Sequence, residues 1–101
     1  MHANVLTEAI RLRPEASFAH YLLGIVALKS ADYAKAEDLF NRALDIEPRL
    51  RWARLALANL YIREAKWQKA LLELDAYLED FPKVLNRLEV QIARDRIAER
   101  L

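Results

Sequence analysis

Three prolines set the period of this chain. They stand at Pro14, Pro48 and Pro82, in "LRPEA", "IEPRL" and "DFPKV", each 34 residues from the next, and the sequence has no others. Proline lacks a backbone N–H and disfavours the α conformation in the residue before it, so each one ends a helix and lets the next begin. The stretches between them are rich in Ala, Leu, Glu, Lys and Arg, which are good helix formers. Gly24 is the one glycine in 101 residues, which argues against a loop-rich β-sandwich and for helices joined by short turns.

Shifting the chain by 34 residues aligns more than prolines. Leu6, Phe40 and Leu74 coincide, as do Ala9, Ala43 and Tyr77, and Ile10, Leu44 and Leu78. Ala19 meets Ala53, Leu23 meets Leu57, Gly24 meets Ala58, Tyr33 meets Trp67, and Ala36 meets Ala70. Each unit therefore reads as two helices and a turn, closed by a proline.

These residues resemble the tetratricopeptide repeat, a 34-residue helix–turn–helix unit with the pattern W-x2-L-G-x2-Y, A-x3-F, P. In residues 17–50 the signature places hold His20, Leu23, Gly24, Ala27, Ala36, Phe40 and Pro48; in 51–84 they hold Arg54, Leu57, Ala58, Tyr61, Ala70, Leu74 and Pro82. The departures are His20 and Arg54 at the tryptophan place and Tyr77 where alanine is usual. The resemblance implies an all-α, right-handed solenoid of about six antiparallel helices in a single domain over 1–101. Residues 1–16 form a partial repeat, its helix over 1–13 being the second helix of a unit. Residues 17–50 and 51–84 are full repeats with helices at 17–30, 33–47, 51–64 and 67–80, and 85–101 is a capping segment. The last helix, over 84–101, carries the stripe Leu85, Leu88, Ile92 at helical spacing, which is expected to cover the preceding unit; Val90, Ala93, Ile97 and Leu101 form a second stripe. Ala36 and Ala70 are expected at close helix crossings.

Little in the sequence supports catalysis. There is no cysteine, and His2 and His20 have no partner at metal-ligand spacing. One glycine cannot build a phosphate loop. The carboxylates Glu37/Asp38, Glu79/Asp80 and Asp95/Glu99 alternate with Lys and Arg, the pattern of a solvated helix face. No enzyme activity, cofactor or metal is expected. A formal charge of +1 gives no nucleic-acid footprint, which disfavours RNA binding by helical repeats. The longest uncharged run, "ASFAHYLLGIVAL", is too short for a membrane span, and with no signal peptide in view a cytoplasmic location is the default expectation.

What remains is a surface for another protein. The family's first helices line a concave groove that takes a peptide or helix of a partner. Carried over by position, this groove presents Phe18, Tyr21, Leu22 and Ile25 from the first full repeat and Trp52, Leu55, Asn59 and Arg63 from the second. The family's carboxylate clamp needs polar groups where Tyr21, Ile25 and Leu55 stand, so an apolar helix or extended peptide is the expected ligand. Phe18 and Trp52, which align, either line the groove or pack one repeat on the next. Tyr21, Asn59 and Arg63 can fix a ligand's orientation. The alternative function is self-assembly into a homo-oligomer through the open end of the truncated array.

Overall fold

A computed structural model describes residues 16–101. The helix expected over 1–13 lies outside the described residues. Five helices follow in order: α1 Ser17–Lys29, α2 Tyr33–Ile46, α3 Arg51–Arg63, α4 Trp67–Asp80 and α5 Arg87–Ala98. Among the described residues every regular element is an α-helix, so five of the six expected helices are seen.

The chain divides into two compact units, one ending at Ala53 and one spanning Arg54–Leu101. In the first, α1 packs along α2. Ser17, His20, Gly24 and Ala27 form the buried stripe of α1, and Ala36, Phe40, Ala43 and Leu44 that of α2. Their spacing of three and four residues is what a helix needs to turn one side inward. The crossing is close because Gly24 has no Cβ: one placed there would lie 2.5 Å from Phe40 Cε1.

In the second unit the places of Ala36 and Phe40 are taken by Ala70 and Leu74, both buried. The tryptophan place is filled differently in each repeat. His20 is buried, whereas Arg54 reaches from α3 to Glu73 on α4, with Nη1 and Oε1 3.0 Å apart. Tyr77 is fully buried at an alanine place; its ring lies 5.4 Å from that of Phe81, and its hydroxyl donates to Asn86 Oδ1. The larger side chain thus ties α4 to the turn that leads into α5.

The turn inside each hairpin is the same. Ala31 N–H donates to Leu28 O at 3.0 Å and Asp32 N–H to Ala27 O at 2.9 Å. Thirty-four residues on, Ala65 N–H donates to Ile62 O at 3.0 Å and Lys66 N–H to Tyr61 O at 2.8 Å. This is the Schellman arrangement, in which the residue after the helix cap is left-handed and is usually glycine. Here it is alanine, with φ 60° at Ala31 and 56° at Ala65. Replacing either by glycine should relieve the left-handed strain and stabilise the fold by about 0.5–1 kcal/mol. Thermal melting should show it as a rise of about 4 °C; an unchanged or lower midpoint would contradict the turn geometry.

The terminal helix corrects the sequence expectation. It begins at Arg87, so Leu85 lies in the turn before it, and the stripe expected to cover the preceding unit is the open one. Leu85, Leu88 and Ile92 are 106%, 68% and 46% exposed, while Val90 and Ile97 of the second stripe are buried. The reason is polar as well as apolar. Arg94, on the side of Val90 and Ile97, reaches Asp75 of α4 at 2.7 Å, which fixes which side of α5 turns inward. Leu101, expected on the same stripe, is exposed.

Candidate functional site: the outer faces of α1 and α3

Helix α1 is apolar nearly all round, so burying one stripe leaves another in solvent. Phe18 and Leu22 are 47% and 49% exposed, and Tyr21 and Ile25 are half-buried beside them. The Tyr21 ring lies 5.4 Å from Phe18 and 6.1 Å from the buried Phe40. Tyr21 is thus seated on the core while Phe18 projects outward, a rigid arrangement with little side-chain entropy to lose on contact.

On α3, Trp52, Leu55, Asn59 and Arg63 follow one another at three- and four-residue steps and share one face. Trp52 is 45% exposed, Leu55 is half-buried, and Asn59 and Arg63 are exposed. None of the eight residues expected to contact a ligand is buried. The Arg51 guanidinium lies 3.8 Å from the centre of the Trp52 ring, a cation–π contact that holds the indole. Arg51 was not singled out from the sequence, because adjacent residues on a helix do not face each other; a cation preceding an exposed aromatic at a helix start is the signal that marks it. Ala56, next to Leu55 on α3, is buried.

The titratable groups are dispersed. Among the described residues no group of three or more His, Cys, Asp and Glu is placed to hold a metal ion. Asp38 and Arg42 form an exposed i,i+4 pair at 2.9 Å. His20 Nδ1 is buried without a hydrogen-bond partner. Burial, then the nearby Arg42 guanidinium, hold its pKa below the ordinary 6.5, with Asp38 pulling the other way. Since the fold favours the neutral ring, the unfolded chain takes up the proton first. The contribution of His20 to stability is therefore complete above about pH 6.5 and falls as the pH drops below it. Urea unfolding of the parent and of His20→Gln across this range tests the point: the parent should lose stability more steeply, and parallel curves would contradict it.

A family model, described as tetratricopeptide repeat, matches residues 27–94. The chain belongs to the tetratricopeptide repeat family. The match takes in the whole of α2, α3 and α4, together with the end of α1 and much of α5. Tetratricopeptide repeats are non-catalytic units that mediate protein–protein interaction. A stretch of 60 residues, 59% of the chain, is 32% identical to cellulose synthase operon protein C of Pseudomonas fluorescens (strain SBW25). The chain spans only 5% of the length of that relative. Among the described residues of these tetratricopeptide units, no helix is long and apolar enough to cross a membrane.

Proposed function

We propose that this chain is a non-catalytic interaction module in which the first helices of the repeats, α1 and α3, receive an apolar amphipathic helix or extended peptide of a partner protein. The observation that carries the reading is the half-exposure of Phe18, Leu22 and Trp52 on helices whose other sides are buried. Large apolar side chains left exposed on a helix face mark an interaction surface. Phe18 and Trp52 are the anchors, Leu22, Ile25 and Leu55 supply apolar area, and Tyr21, Asn59 and Arg63 orient the ligand through polar groups. Aromatic anchors of this kind carry a disproportionate share of binding energy.

The experiment is a selection of helical peptides from a random library against the chain, followed by titration of an enriched peptide. Trp52→Ala should weaken binding by about 2 kcal/mol, roughly thirtyfold, while the unfolding midpoint changes little. Unweakened binding would remove Trp52 and its face from the site.

A further inference from the structure

A formal charge of +1 for the whole chain hides a segregation of charge by helix. Helices α1 and α3, the first of each repeat, contain no Asp or Glu; α1 carries Lys29, and α3 carries Arg51, Arg54 and Arg63. The second helices are the reverse. In α2 two cations stand against three carboxylates, and in α4 one stands against four. The helices proposed above to receive a ligand are therefore the cationic ones.

The 34-residue register separates ligand surface from packing surface. Leu22, Leu23 and Val26 are open on α1, but the same places on α3 hold Ala56, Leu57 and Leu60, all buried. What stays open on both helices is narrower. Phe18 and Trp52 stand near the start, Ile25 and Asn59 in the middle, and Lys29 and Arg63 in the last turn; Ile25 is half-buried and the other five are exposed. Steps of seven and four residues keep each set of three on one side of its helix. On α3 the stripe is open although helices precede and follow it in the chain, so it is not a place that the repeat itself covers.

The cations that end these stripes have no partner. Arg54 is held by Glu73, and Arg51 lies over the Trp52 ring. Lys29 and Arg63 are exposed, and neither forms an ion pair among the described residues. A cation in the last turn suits the dipole of its own helix. That accounts neither for the absence of carboxylates from both helices nor for the aromatic ring eleven residues earlier on the same side.

We infer that the ligand of α1 and α3 is an acidic apolar segment of a partner protein, whose apolar side chains meet Phe18 and Trp52 and whose Asp or Glu side chains meet Lys29 and Arg63. This rests on the reading of α1 and α3 as the ligand faces and adds the charge of what they select. A basic segment of equal hydrophobicity is excluded by like-charge repulsion. A second copy of the chain fits less well. Its acidic helices α2 and α4 expose one large apolar side chain between them, Leu72, and α5, which exposes Leu88 and Ile92, holds three cations against two carboxylates.

The test uses two synthetic peptides of about 18 residues, long enough to hold helix. Both carry the same Ala/Leu seam, flanked in one by glutamates and in the other by lysines. Fluorescence anisotropy is measured with the full chain, with Lys29→Glu/Arg63→Glu and with Trp52→Ala. At low salt the glutamate peptide should bind about fivefold or more tightly than the lysine peptide, and the gap should narrow as salt is added. The charge-reversed variant, altered only at exposed side chains, should reverse the preference, and Trp52→Ala should weaken both peptides. Equal binding of both peptides, weakened by Trp52→Ala, would overturn the charge selection and leave the faces of α1 and α3 standing. A preference for the glutamate peptide that ignores Trp52→Ala, or binding of neither peptide, would overturn both. A preference that survives charge reversal would overturn the inference, as would a dimer of the chain that charge reversal dissolves. So would tighter binding of a uridylate oligomer, since aromatic rings and cations also serve single-stranded RNA.

Discussion

Truncating Tyr77 to alanine should destabilise the protein by about 3–5 kcal/mol, the range for removing a fully buried aromatic ring. The side chain is completely enclosed, stands beside Phe81, and donates its hydroxyl to Asn86, the residue before α5. Alanine there leaves a cavity beside α4, strands the Asn86 carbonyl oxygen and loosens the tie between α4 and the turn into α5. Tyr77→Phe keeps the ring and removes only the hydrogen bond, so it should cost about 1 kcal/mol. Urea unfolding of the two variants separates packing from polar contributions. The second unit should also lose amide protection in α5 before it does in α4. A cost for Tyr77→Ala no larger than that for Tyr77→Phe would mean that the ring does not fill the core.

Gly24→Val should cost about 3 kcal/mol, at the upper end of the overpacking range. Even the first added carbon would sit 2.5 Å from Cε1 and 2.7 Å from Cδ1 of Phe40. Phe40 is itself fully buried, so its ring has nowhere to swing. Either the ring leaves its rotamer or α1 and α2 move apart, and both lose contacts over the whole crossing. The cause can be isolated by a double-mutant cycle. In a Phe40→Leu background, the shape that the second repeat already uses at Leu74, the Gly24→Val penalty should shrink by about 1 kcal/mol or more. Additive costs would show that the clash is not with Phe40.

The period of the prolines made the four helices of the two repeats legible almost to the residue. Expected spans of 17–30, 33–47, 51–64 and 67–80 became Ser17–Lys29, Tyr33–Ile46, Arg51–Arg63 and Trp67–Asp80. Signature spacing also pointed to Gly24, Ala36 and Ala70 as close-packing places, because helix crossings demand small residues at fixed intervals. The last helix was read less well. Both of its apolar stripes have helical spacing, and periodicity alone does not say which one turns inward. That choice goes with Arg94 meeting Asp75 and Tyr77 meeting Asn86, pairings 19 and 9 residues apart that no local pattern encodes. The left-handed turns were silent for another reason: the usual marker is glycine, and this chain uses Ala31 and Ala65. As for the candidate site, α1 is so uniformly apolar that the sequence could not separate Phe18 and Leu22, which are open, from a covered face. Only the placement of α2 distinguishes them.

The central claim is that α1 and α3 present the partner-binding faces of this tetratricopeptide module. Its most direct test is an amide and side-chain NMR titration of the chain with a selected helical peptide. Shifts should centre on Phe18, Tyr21, Leu22 and Ile25 of α1 and on Trp52, Leu55, Asn59 and Arg63 of α3, while the exposed Leu72 of α4 stays unmoved. Shifts centred instead on α2 and α4, with the Trp52 indole unperturbed, would contradict the claim.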